Sequence, residues 1–200
     1  MWIKICGLTS PDAVAAALDA GADAVGFVFA KSVRQVTPRE ALDLAKPARG
    51  RVRCVAVTRH PRQQEIDEMI SLFKPDVLQT DADDLELLQL PTQLELLPVL
   101  RGAPDPGAKL PSRLLFEGAV SGAGTLADWT AARNLARRTE LVLAGGLNPS
   151  NVAAAIEAVQ PFGVDVSSGV EARPGIKSPA EIANFVRAVR VTRAQREDSV

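Results

Sequence analysis

Eight short apolar runs punctuate this chain, at residues 2–6, 24–29, 51–57, 77–79, 94–100, 113–117, 141–144 and 164–167. Several are apolar nearly throughout, as in Ala24-Val25-Gly26-Phe27-Val28-Phe29, rather than alternating. Such strands need cover on both faces, which a parallel sheet receives from its crossover helices. The intervening segments carry helical signals. Residues 11–20 read as a helix stopped by Gly21. Thr37-Pro38 opens another, with Thr as N-cap and Pro in the first turn. Ile66, Met69, Ile70 and Phe73 fall on one helix face. Further helices are predicted over 81–90, over about 127–137, after Asn148-Pro149 with Val152, Ile156 and Val159, and around Ile182, Phe185, Val186 and Val189. Residues 193–200 are polar and are predicted to fray.

Eight strands with seven clear helices and no topological break favour a closed (β/α)₈ barrel in a single domain over residues 1–200. An open doubly wound sheet is the alternative. A chain of 200 residues is short for a fold that typically takes about 250. Gly102-Ala103-Pro104-Asp105-Pro106-Gly107, after the fifth run, is too rich in Pro and Gly for a helix. The fifth helix is therefore predicted to be missing or reduced to a turn.

Charge narrows the partners. Lys plus Arg total 23 and Asp plus Glu 24, so nothing points to nucleic acid or an anionic membrane. A small anionic ligand needs only local charge. Cys6 and Cys54 form no metal-binding spacing, and the single histidine, His60, nearly excludes a His-based zinc site or a Ser-His-Asp triad. No metal is expected. The chain opens directly into a strand, and no apolar run approaches the roughly 20 residues of a membrane span. A reduced, cytoplasmic setting is expected. Oligomeric state is not encoded legibly.

Active sites of such barrels lie at the C-terminal ends of the strands. Those ends carry Cys6-Gly7, then Lys31, Ser32 and Arg34, then Gln79, Glu117-Gly118 with Ser121-Gly122-Ala123-Gly124, Gly145-Gly146-Leu147-Asn148, and finally Asp165, Ser167, Ser168 and Gly169. Gly145-Gly146 is compatible with a plain tight turn. Paired with Ser168-Gly169 on the neighbouring loop, it reads as a phosphate site, because glycine lets backbone N–H groups approach an anion. A free cysteine is ordinarily a small buried hydrophobe, the reading kept for Cys54; Cys6, at a strand end, is also placed to react. Glu117 is either a solvated loop carboxylate or a proton donor. Arg34 is either a surface charge or a two-pronged carboxylate clamp. His60, beside Arg59, Pro61 and Arg62, reads as a surface loop residue.

Several motifs, in order along the chain, resemble one family. They are Lys4-Ile5-Cys6-Gly7-Leu8-Thr9, Gly26-Phe27-Val28-Phe29 with Ser32 and Arg34, Ala144-Gly145-Gly146-Leu147, and Asp165 to Glu171 with Pro174-Gly175-Ile176-Lys177. The chain is similar to the phosphoribosylanthranilate isomerases of tryptophan biosynthesis. The resemblance implies an Amadori rearrangement of a phosphorylated small-molecule substrate, without a cofactor. It implies Cys6 as general base at C2′ of the sugar, in a site that favours the thiolate, and an acid on strand six that protonates the ring oxygen. It implies that Arg34 holds the anthranilate carboxylate, that Asp165 faces the substrate near its amine nitrogen, and that Gly146, Ser168 and Gly169 bind phosphate, with Gly145 in the same turn.

The chain departs from the family pattern in places. The strand-six acid is usually aspartate and here is Glu117; Val33 stands where Ser-Pro-Arg is common; and strand four, usually ending Gln-Leu-His-Gly, runs Leu78-Gln79-Thr80-Asp81. One methylene moves the proton by about 1 Å, a misplacement that can cost about a hundredfold in rate. Either the loop compensates, or the protein is slow or altered in substrate. Two alternatives follow. One is a related aminoaldose isomerase of histidine synthesis, which uses aspartate where Cys6 stands. The other is a barrel that binds phosphosugars without catalysis.

Overall fold

A computed structural model describes residues 1–102, 104–105, 107–118 and 127–197, with side chains up to Gln195. β1 (Trp2–Cys6), β2 (Ala24–Val28), β3 (Arg53–Val57), β4 (Val77–Asp81), β5 (Glu95–Leu100), β6 (Arg113–Phe116), β7 (Glu140–Leu143) and β8 (Gly163–Val166) pair in parallel and in chain order. β8 closes on β1, so the sheet is a barrel and the open-sheet alternative is excluded. Seven α-helices cover it among the described residues: α1 (Pro11–Asp19), α2 (Pro38–Ala45), α3 (Gln63–Phe73), α4 (Ala82–Leu85), α5 (Trp129–Ala136), α6 (Val152–Val159) and α7 (Pro179–Glu197). A hairpin of β9 (Glu171–Arg173) and β10 (Ile176–Lys177) precedes α7. Among the described residues no helix is long and apolar enough to cross a membrane.

Local chemistry sets most boundaries. Ser10 caps α1, and Thr37 and Glu40 form a reciprocal capping box on α2. Gly21 follows α1 at φ +83°, in the left-handed region that glycine tolerates. No helix occurs among the described residues between β5 and β6. That segment is instead pinned to the α5–β7 junction, where Arg138 Nη2 donates to the Ala108 carbonyl (2.7 Å) and Thr139 Oγ1 to that of Pro111 (2.6 Å).

Two helical expectations are corrected. The helix expected over 81–90 shrinks to the single turn Ala82–Leu85. Asp81 extends β4 instead, and the Gln89 backbone is bonded through both its N–H and carbonyl to the Gln63 side chain on α3, which draws the segment away from a helical path. The polar tail, expected to fray, is helical as far as Glu197. Arg190 donates to the carbonyls of Met1 (3.1 Å) and Gly21 (3.0 Å), which ties α7 to the barrel just before the tail.

Alternation divides each strand between two cores. Ala24, Val55, Val77, Leu97, Val99, Leu115, Val142 and Ala144 fill the barrel interior. Their neighbours pack outward under the helices, in a larger cluster that includes Phe27, Ile66, Met69 and Phe73. Cys54 lies in that outer core, where burial pushes its thiol up to about 11. The N-terminal end of the barrel is closed by charges: Arg113 bridges Glu95 (2.9 Å) and Glu140 (2.7 Å) and lies over the Phe162 ring.

Phe73 closes α3 onto the sheet. It is fully buried, meets Phe27 and Phe29 with ring centroids 5.4 Å apart, and lies under the Arg49 guanidinium. Phe73→Ala is expected to cost about 3–5 kcal/mol in urea unfolding. Leu87→Ala, at a side chain 84% exposed, should stay within about 0.5 kcal/mol. Equal losses would contradict this assignment of the core.

Candidate active site

Strand register brings the reactive residues together. Lys4 and Asp165 are direct cross-strand partners on β1 and β8, and both point into the barrel with the parity of the interior core. Lys4 is fully buried, and its ammonium lies 2.6 Å from Asp165 Oδ1. Burial alone would lower this ammonium, but the Asp165 carboxylate and the Cys6 sulfur outweigh it and the group is raised. Cys6 is one inward step above Lys4, opposite Gly26 on β2. A Cβ on Gly26 would lie 3.0 Å from Cys6 Sγ and 3.1 Å from Lys4 Cε, so the thiol and the lysine stem crowd the same point. Burial pushes the Cys6 thiol above its ordinary value; Lys4 pulls against that rise and Asp165 adds to it. Desolvation thus works against the expected thiolate and outweighs the cation. Asp165, expected beside the substrate amine, is bonded to Lys4 beneath Cys6.

Arg34 lies over the backbone that follows Cys6. A Cβ on Gly7, which sits at φ +74°, would come within 2.6 Å of Arg34 Cδ, so both conformation and space call for glycine there. The guanidinium Nε and Nη2 donate to Glu171, at 2.6 and 3.0 Å. Arg34 is therefore clamped from behind by a protein carboxylate and keeps N–H groups on its outer edge for a ligand. Lys177 completes this cluster, donating to Glu171 Oε1 (2.8 Å), the Ser167 carbonyl (2.9 Å) and Ser167 Oγ (3.2 Å). Burial alone would raise the Glu171 carboxyl, but the hydrogen bonds from Arg34 and Lys177 bring it down to about 2. Ser167 Oγ in turn donates to the Cys6 carbonyl at 3.1 Å.

Glu117 follows β6 and faces the mouth, separated from Cys6 around the barrel by β7 and β8. Val99 pairs with Leu115 and Leu100 with Phe116, so Arg101 and Glu117 come next, side by side. Arg101 Nη2 lies 2.7 Å from Glu117 Oε1, and Nη1 is bonded to Asp81 at the end of β4. Among the described residues, Arg101 Nε and the buried Gln79 Oε1 have no hydrogen-bond partner. His60 is exposed but not idle. Its backbone N–H and Nδ1 both meet Asp84, at 2.8 and 2.9 Å. His60, Asp81 and Asp84 converge, but Arg59 and Arg101 already neutralise Asp81, which makes the cluster an ion-pair network and a poor place for a dication.

The glycine loops after β7 and β8 touch. Gly145 and Gly146 adopt φ +86° and +65°. Asn151 Nδ2 holds the Gly146 carbonyl at 2.9 Å, and Asn148 Oδ1 accepts from the Ser150 and Asn151 N–H groups ahead of α6. Ser168 and Gly169 lie in a 3₁₀ turn, Ser168–Val170. A Cβ on Gly169 would stand 1.9 Å from the Leu147 carbonyl oxygen, so only glycine allows the two loops to meet. The Ser121–Gly124 loop lies outside the described residues. A cavity of about 780 Å³ lies between the segments after β2 and β3, with Lys31, Ser32, Arg59 and His60 in its wall.

Lys4, Asp81, Arg101, Glu171 and Lys177 carry no role legible in the sequence motifs. Inward parity picks out the first three. Counting by twos from Val77 reaches Asp81, and from Leu97 reaches Arg101. Glu171 and Lys177 stand within the family motifs, but nothing local predicts that Glu171 meets Arg34 and Lys177 meets Glu171, contacts made only through the hairpin.

Comparison with known proteins bears on the family and the fold. The sequence profile of N-(5'phosphoribosyl)anthranilate (PRA) isomerase matches residues 3–188. The N-(5'-phosphoribosyl)anthranilate isomerase of Mesorhizobium japonicum is 38% identical over 214 aligned positions, covering 97% of each chain. The crystal structure of phosphoribosyl anthranilate isomerase from Thermotoga maritima superposes with a TM-score of 0.81 at 29% identity, covering 96% of this chain and 99% of that one. A phosphoribosyl anthranilate isomerase in complex with reduced 1-(O-carboxyphenylamino)-1-deoxyribulose 5-phosphate superposes at 0.76 with 28% identity, over 96% of this chain and 99% of that one. From its profile match, its full-length relatives and its closed barrel, this chain belongs to the N-(5'-phosphoribosyl)anthranilate isomerase family.

Proposed function

We propose that the chain catalyses the Amadori rearrangement of N-(5'-phosphoribosyl)anthranilate to 1-(2-carboxyphenylamino)-1-deoxyribulose 5-phosphate, a step of tryptophan biosynthesis in the cytoplasm, with Cys6 as base and Glu117 as acid. The observation that carries this reading is the placement of Cys6. It stands at the mouth over a buried ammonium, with Arg34 crossing the adjacent Gly7. Glu117 in its acid form delivers a proton to the furanose ring oxygen. The C1′–O bond breaks, and the nitrogen lone pair forms a C1′=N bond, leaving a cationic Schiff base. Cys6 as thiolate removes the proton from C2′, and that electron pair forms C1′=C2′ while the nitrogen recovers its lone pair. The resulting enolamine becomes the ketone when C1′ takes a proton and the C2′ hydroxyl loses one. Oxidation at C2′ balances reduction at C1′, so no external oxidant or cofactor enters.

The remaining groups serve binding. Arg34 meets the anthranilate carboxylate through its outer N–H edge. Backbone N–H groups of Gly145, Gly146, Ser168 and Gly169 receive the phosphate. Asp165 acts from beneath, as the counter-ion that keeps Lys4 charged next to the sulfur.

Introduced into a tryptophan auxotroph lacking the isomerase, the wild-type gene is expected to restore growth and Cys6→Ala is not, while purified Cys6→Ala still binds the reduced product analogue. Growth with Cys6→Ala would remove the base assignment. Binding by wild type without turnover would favour a non-catalytic phosphosugar barrel.

Glu171→Gln tests the support behind Arg34. KM is expected to rise about tenfold, near the lower end of what a charge-assisted pair is worth, with kcat changed less. The folded-state carboxyl is depressed from 4.5 to about 2, so its stabilisation is present above about pH 4.5 and is lost as pH falls toward 2. The urea midpoint of Glu171→Gln should thus lie below wild type at neutral pH, and the gap should narrow near pH 3. A gap independent of pH would contradict the ion-pair account.

A further inference from the structure

The longer acid after β6 is not left to find its own position. Arg101 and Glu117 occupy neighbouring places at the ends of β5 and β6, and the Glu117 backbone N–H is bonded to the Leu100 carbonyl at 3.1 Å. Arg101 Nη2 lies 2.7 Å from Glu117 Oε1, and both side chains are largely shielded from solvent. The other terminal nitrogen of Arg101 is bonded to Asp81 Oδ1, and Asp81 Oδ2 lies 3.6 Å from His60 Nε2 and 3.8 Å from Arg59 Nε. Three strands thus contribute one chain of charges, Asp81–Arg101–Glu117, and a planar guanidinium held at both ends has little freedom to swing. The chain runs through the two places where this sequence departs from the family pattern, the end of strand four and the acid of strand six.

The geometry points to Arg101, anchored by Asp81, as the positioning residue that sets the Glu117 carboxyl where the proton must be delivered. This rests on the reading of Glu117 as the acid. Glutamate has one more rotatable bond than aspartate, so its carboxyl sweeps a wider arc unless something holds it. The two-ended arginine supplies that hold. It also stabilises the carboxylate that remains once the proton has left, because a cation at bonding distance favours the charged form. Arg101 acts through Glu117 and does not itself exchange a proton, since guanidinium stays charged throughout the working range.

The test is a double-mutant cycle read by steady-state kinetics. Arg101→Met keeps the length and removes the charge and the donors. It is expected to lower kcat by about tenfold or more, on the scale of an ångström-sized misplacement, with KM within about twofold. In the Glu117→Gln background the same substitution should change kcat by less than about twofold, because the group through which Arg101 acts has lost its proton. Arg101→Lys should recover part of the rate, and Asp81→Asn should reproduce the Arg101→Met pattern at smaller size. A loss of stability or folding would act equally in both backgrounds, so an equal kcat factor with and without Glu117 overturns the inference. An effect confined to KM, or no effect of Arg101→Met at all, overturns it as well. Normal turnover by Glu117→Gln alone is a different failure: it removes the acid assignment, and this inference with it.

Discussion

An ammonium sealed inside a parallel barrel stays charged only if a carboxylate lies within bonding reach. Lys4 meets that condition through Asp165, its direct cross-strand partner, at 2.6 Å. Removing either member would leave an uncompensated buried charge, at a cost on the order of 3–5 kcal/mol. The pair therefore fixes the register of β1 on β8, the seam at which the barrel closes. It also fixes what can stand above it. Cys6 takes the next inward position, Gly26 opposite is kept free of a side chain, and Gly7 clears the path for Arg34. The floor of the site and the closure of the fold are the same interaction.

From that floor the mouth divides into two charged supports. On the β1–β2–β8 side, Glu171 holds Arg34 and Lys177 together, and Lys177 reaches the Cys6 carbonyl through Ser167. On the β4–β5–β6 side, Asp81 and Arg101 hold Glu117. Burial raises the Cys6 thiol and so favours the proton on the sulfur, whereas the chemistry proposed here needs the thiolate. Lys4 works toward that thiolate, because its charge opposes the burial that raises the thiol.

The sequence made the architecture legible because hydrophobic period and turn chemistry are local signals. Strand residues 2–6 agree to the residue, the Thr37 cap and the Gly21 stop are present, and the Pro- and Gly-rich stretch after β5 carries no helix among its described residues. The expectations that failed were those decided by distant contacts. Gln89 is drawn to Gln63 on α3, which ends α4 early, and Arg190 ties α7 back to Met1. The site divides in the same way. Cys6, Arg34, Glu117 and the glycine turns stand at strand ends that the pattern locates. Their partners do not. The tie between Asp165 and Lys4 depends on barrel closure, that between Arg34 and Glu171 on the hairpin, and that between Glu117 and Arg101 on the β5–β6 register.

The resting protonation of Cys6 is the most direct test of this account. The ultraviolet absorbance of the thiolate can be followed against pH as the difference between the wild-type protein and Cys6→Ala, which cancels the signal of Cys54. No Cys6 thiolate is expected at neutral pH, with the signal appearing only above the ordinary cysteine value of about 8.5. A thiolate already formed at neutral pH would contradict it, and would mean that Lys4 and not burial governs the sulfur.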